Sequence, residues 1–67
     1  MTAAEFRLAV KHRLLDLDMT QDEMIERVRE KTGMYLDRSY LHKLFTGSRR
    51  SKKIFQAIRE VLDLPEA

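Results

Sequence analysis

The 67-residue chain has no cysteine and no tryptophan, only two glycines and one proline, and no long apolar run. Each lack excludes something. Without cysteine there can be no disulfide and no thiolate metal site. His12 and His42 stand apart, with no Cys/His cluster around either, so no metal site is expected. The short apolar runs exclude a membrane-spanning helix and a signal peptide, and the expected location is the cytoplasm. So few chain-breaking residues argue for helices throughout. A chain this short allows one domain with one small core. It has no thiol nucleophile, no P-loop and no Ser-His-Asp spacing of weight, and it is too small for a water-excluding cleft. No enzyme, no cofactor and no small-molecule substrate is therefore expected.

What is present is charge, unevenly placed. The net charge is only +2. Residues 1–36 carry six bases and seven acids, and residues 37–67 carry seven bases and four acids. Six of the latter bases fall between Asp37 and Lys53: Arg38, Lys43, Arg49, Arg50, Lys52 and Lys53. After Asp37 that stretch contains no acid. Most charge runs are simply solvated helix faces. This one is continuous, unmixed with acids and centred on a turn, which favours contact with a polyanion.

The stretch is punctuated as a helix and a turn. Asp37 is a good N-cap, because its carboxylate accepts from unpaired amides of the first turn. Gly47 suits the position after a helix, where a positive φ carries no Cβ penalty. At roughly 100° per residue, Arg38, His42, Thr46, Ser39 and Lys43 share one polar arc. Tyr40, Leu44, Leu41 and Phe45 share the opposite, apolar arc. A short, exposed, basic helix followed by a basic turn is what reading a DNA groove requires.

The rest of the chain reads as three further helices. Thr2 with Glu5 is a capping-box pattern that opens a helix running to about Asp18. Phe6, Val10, Leu14 and Leu17 share its inner stripe, while Leu8 and Leu15 lie on the other side. Thr20 and Glu23 repeat the capping pattern for a helix over about 21–32, with Met24, Ile25 and Val28 inward and Gly33 as its stop. Met19 is placed to staple against Met24. Met34, Tyr35 and Leu36 bridge to Asp37. Ser51 caps a last helix over about 52–63, with Ile54, Phe55, Ile58, Val61 and Leu62 on a wide apolar arc and Pro65 beyond it. Lys52 and Lys53 sit in its first turn, against the helix dipole, where a bound anion would benefit from both lysines and amides. No repeat, linker or low-complexity segment interrupts this pattern.

These pieces, in this order, resemble the helix-turn-helix domains of phage Cro and repressor proteins, the XRE-type family. Thr20-Gln21-Asp22-Glu23-Met24-Ile25 is similar to the family's T-Q-x-x-L-A opening of the motif's first helix. Ser39-Tyr40-Leu41-His42-Lys43-Leu44 resembles its S-x-I-S-x-hydrophobic recognition helix, and Gly47 stands where the family has its glycine. Ile58, Val61 and Leu62 resemble its closing helix. The likeness spans about residues 10–64 and implies an all-α, lambda-repressor-like bundle of four helices, or five.

Two departures stand out. The Arg29–Leu36 connection is longer than the family's tight turn, which either lengthens the second helix or brings Tyr35 near the nucleic acid. Many members also hold a buried Arg–Glu pair, whose best matches here are Leu14 and Phe45; a one-residue shift would substitute Arg13 for Leu14. Replacing both partners with apolar residues is physically coherent, since a lone buried charge is costly. Leu14 and Phe45 are therefore expected to be buried and close together.

The resemblance implies that Arg38, Ser39, His42 and Lys43 contact bases. Arg and Lys can donate to guanine O6 and N7. It implies phosphate contacts for Gln21, Tyr40, Thr46, Ser48, Arg49, Arg50, Lys52 and Lys53, which set register without reading sequence. The function that follows is a nucleoid-associated, sequence-specific regulator that binds double-stranded DNA, encoded by a phage or mobile element, with a homodimer on two half-sites as one arrangement. Two other readings stay open. One is an excisionase-like or architectural DNA-binding factor. The other is a protein-interaction module such as an antirepressor, with Leu8, Leu15 and the long connection as its surface.

Overall fold

A computed structural model describes residues 2–64. Four helices follow one another: α1 (Ala3–Asp16), α2 (Gln21–Thr32), α3 (Arg38–Thr46) and α4 (Lys52–Leu62). No strand occurs among the described residues. The principal extents are 26 × 25 × 20 Å, so the helices form a small, nearly isometric bundle. None of the helices is long and apolar enough to cross a membrane.

Every helix starts on a side-chain cap. The hydroxyls of Thr2, Thr20 and Ser51 accept from the amides of Glu5, Glu23 and Ile54, and the Asp37 carboxylate accepts from the Tyr40 amide. The Thr20 box is reciprocal: the Thr20 amide donates to the Glu23 carboxylate at 3.4 Å, while the Glu23 amide donates to the Thr20 hydroxyl at 3.1 Å. Such caps satisfy amides that have no partner within the helix.

The ends are built in two ways. Gly33 and Gly47 take φ of +68° and +83° after α2 and α3. A side chain there would meet no neighbour, so the glycines serve conformation and not space. After α1 and α4 the left-handed position is taken by Asp18 and Asp63. In each case the two amides that follow reach back, Asp18 to Leu15 and Met19 to Leu14, Asp63 to Glu60 and Leu64 to Arg59. This is the Schellman closure with aspartate in place of glycine, a residue whose short polar side chain tolerates that region. It ends α1 at Asp16, two residues short of the expected Asp18. Leu17, expected on the inner stripe, is thereby turned outward and is 40% exposed. Pro65, expected to end α4, lies outside the described residues; the described stop is Asp63.

The core is one cluster drawn from all four helices: Phe6, Val10 and Leu14 of α1; Met24, Ile25 and Val28 of α2; Leu41, Leu44 and Phe45 of α3; Ile54, Ala57, Ile58 and Leu62 of α4. Leu36, in the connection before α3, joins it at 1% exposure. Met19 and Met34 are half-buried against the cluster. Leu14 and Phe45 are both buried, as expected of each. Phe45 has a ring partner in Phe6 at 6.1 Å, and Phe6 meets Phe55 edge to face at 5.0 Å. Arg13 stays at the rim, where its Nε donates to the Leu62 carbonyl at 2.7 Å and so caps the negative end of α4. No polar or charged residue is buried among the described residues.

α4 packs most closely on α2, and α1 packs mainly on α3. The Lys31–Glu60 pair, at 3.0 Å, supports the first of these contacts. α3 is thus held by its apolar arc, and its polar arc is left to solvent.

Candidate nucleic-acid interface

The polar arc of α3 is as the wheel placed it: Arg38, Ser39, His42, Lys43 and Thr46 are all exposed. Gln21, Ser48, Arg49, Arg50, Lys52 and Lys53 are exposed as well. Tyr40 is half-buried with its ring against the core, in keeping with its place on the apolar arc of α3. The Thr46 hydroxyl is turned back to the Lys43 carbonyl at 3.2 Å and pairs with the Ser48 hydroxyl at 3.1 Å. That pairing orders the turn around Gly47.

The start of α3 is tightly organised. One Asp37 oxygen accepts from the Tyr40 amide at 2.7 Å, and the other accepts from the Tyr35 hydroxyl. The Tyr35 hydroxyl, then the Tyr40 amide, hold the Asp37 carboxyl below the ordinary carboxylate range, and the charge of Lys43 adds to this. The same contact pushes the Tyr35 phenol above its ordinary range. Tyr35 itself is 68% exposed. α2 continues to Thr32, and the 33–37 segment that follows carries this cap.

Arg38 is not free. Its Nε donates to Asp22 Oδ1 at 2.7 Å and its Nη2 to Asp22 Oδ2 at 2.6 Å. This two-point pair joins the first turn of α2 to the first residue of α3. Hydrogen bonding to Arg38 holds the Asp22 carboxyl below its ordinary range. The contact spans sixteen residues of sequence, so no local pattern announced it.

The other cations of the stretch are held differently. Among the described residues, no ion pair involves Lys43, Arg49, Arg50, Lys52 or Lys53. In contrast, Arg13, Arg29 and Lys31, in the first half of the chain, each face an acid. Arg38 and the bases after Gly47 line different surface depressions. Arg38 and His42 line a groove with Gln21, Arg7, Lys11 and Phe45. Arg49, Arg50 and Lys52 line a second groove, between the starts of α1 and α4, over an apolar floor of Phe6, Leu44 and Phe55. The two share no residue.

Arg7 and Lys11 were not anticipated. They sit one turn apart on α1, beside the Phe6–Val10–Leu14 stripe, and neither has an ion pair among the described residues. Their spacing on the flank of a core stripe is the signal that points to them. The described residues hold no group of three or more His, Asp or Glu able to bind a metal ion. Compared with known proteins, the chain matches no family model, no curated protein and no solved structure.

Proposed function

We propose that the chain is a DNA-binding domain of the helix-turn-helix type, similar to XRE-type phage repressors, and that it acts as a sequence-specific transcriptional regulator. In this reading α2 and α3 are the motif and α3 enters the major groove. The observation that carries it is the exposed, acid-free polar arc of α3, continued by cations that have no ion pair among the described residues. Unpaired cations need no ion pair broken before they meet phosphates, and neutralised phosphates release counterions.

Arg38, Ser39, His42 and Lys43 then face base edges. Gln21, at the start of α2, and Arg7 and Lys11, on α1, flank the same groove as Arg38 and would meet one backbone. Arg49, Arg50 and Lys52 line a separate groove and would meet the backbone elsewhere.

The test is the salt dependence of binding to duplex DNA. Several neutralised phosphates, at about 0.9 each, give a log–log slope on the order of −3 to −6. An affinity that ignores salt would reject the reading. A second reading, a protein-interaction module, draws on Leu8 and Leu15, which are 57% and 78% exposed on α1. It expects an apolar partner and a weak response to salt.

A further inference from the structure

We infer that Asp22 is a positioning residue for base recognition: it clamps one edge of the Arg38 guanidinium so that the opposite edge faces outward, set for a guanine. This rests on the DNA reading proposed above and adds to it the residue that fixes the geometry.

The guanidinium is a rigid planar fork with donors on two edges. Asp22 takes the Nε and Nη2 hydrogens on one edge, at 2.7 and 2.6 Å. The second Nη2 hydrogen and those of Nη1 remain. Together they form the end-on pair of parallel donors that matches guanine O6 and N7 in the major groove. The side chains of Arg38 and Asp22 are 71% and 61% exposed, so that edge is open to a ligand.

Arg38 has several rotatable bonds and would sample many directions if unpaired. Clamping it before DNA arrives removes that loss of freedom on binding, the general advantage of preorganisation. The clamp also has a direction. Asp22 lies in the first turn of α2, behind the first residue of α3, so Arg38 is held toward the groove shared by Gln21 and His42. An ion pair this exposed adds little to folding stability, because water screens both charges. Stability is therefore a poor reason for a two-point contact between these helices. Asp22 also carries a negative charge on a face meant for phosphates, which lowers affinity unless that charge does something specific there.

Asp22→Asn tests this on two DNAs, the site obtained by selection and a scrambled duplex. Asn keeps one oxygen acceptor but loses the charge and the two-point grip. Binding to scrambled DNA should stay level or tighten. Discrimination at a single G·C pair should fall by about fivefold or more, toward the 5- to 150-fold worth of one good bidentate contact. Arg38→Ala should lose discrimination at that same pair, and adding Asp22→Asn to it should change nothing further there. In the free protein, the Arg38 Nε–H should give a protected NMR signal in the wild type and lose it in Asp22→Asn.

Three results would overturn the inference. If Asp22→Asn tightens both DNAs equally and keeps discrimination, Asp22 merely repels phosphates. If the Arg38 Nε–H is unprotected in the wild type, the clamp does not exist before DNA binds. If the wild type binds no duplex while that signal is protected, the clamp stands but the DNA reading beneath it fails.

Discussion

Arg38 and Arg50 belong to one acid-free run of sequence, yet they are held in opposite ways. Arg38 opens a helix, is anchored to Asp22 at two points, and lines a groove with residues of α1 and α2. Arg50 stands in the connection between α3 and α4, exposed, with no ion pair among the described residues. A fixed cation can distinguish one arrangement of acceptors from another. An unfixed one senses mainly the charge it meets. On the proposed reading, the run divides into a part that reads and a part that attracts.

This contrast can be broken from beneath. Phe45 packs on Phe6 and forms part of the groove that holds Arg38. Phe45→Ala should destabilise the fold by roughly 3–5 kcal/mol, the range for truncating a buried Phe. In a domain this small that is most of the stability available. Chemical denaturation would measure it, and a loss under about 1 kcal/mol would mean that α3 is anchored without Phe45.

Next in size is Arg38→Ala. It should weaken the selected site by roughly 5- to 150-fold and relax the preference at one base pair. Its effect on scrambled DNA should be much smaller. Equal losses on both DNAs would erase the distinction between the two ends of the run.

Arg50→Ala should behave differently. Specific and scrambled DNA should weaken by similar factors, and the log–log salt slope should shrink by about one. A change in base preference would place Arg50 among the reading residues.

The smallest expected effect is on pH dependence. Asp37 and Asp22 have folded-state values below their ordinary 3.8, and Glu60, paired with Lys31 and bonded by Gln56, below its ordinary 4.5. A lowered carboxyl value adds stability that is present above the ordinary value. It is lost as pH falls through the lower, folded-state value. These three groups should leave stability level from neutral pH down to about 5, then reduce it in acid. Asp37→Asn should keep the helix cap, since Asn can still accept from the Tyr40 amide, but flatten part of the acid limb. An unchanged acid limb would show that the Tyr35–Asp37 contact is not maintained in solution.

Much of this architecture was legible because it is local. Thr20, Asp37 and Ser51 each announce a helix within three residues, and α2, α3 and α4 begin where those caps require. Gly33 and Gly47 mark two ends for an equally local reason, a positive φ. The end of α1 was missed because aspartate, not glycine, took the left-handed position, and Asp18 looked like an ordinary surface acid. Leu36 was missed as core because helical periodicity does not extend into a connection. The candidate site divides the same way. The polar arc of α3 follows from its own spacing. The Asp22 clamp depends on how α2 and α3 meet, which no single stretch records, whereas Arg7 and Lys11 show their spacing on α1 but join this groove only through the packing of the helices.

On the proposed reading, the surface from Arg38 to Lys53 meets duplex DNA. Titrating isotope-labelled protein with the selected duplex, at two salt concentrations, tests it most directly by NMR. Amides of residues 38–53 should shift most, with Gln21, Arg7 and Lys11 next, and raising the salt should reverse the shifts. If Leu8, Leu15 and the 33–37 connection respond instead, and salt makes no difference, the claim is contradicted.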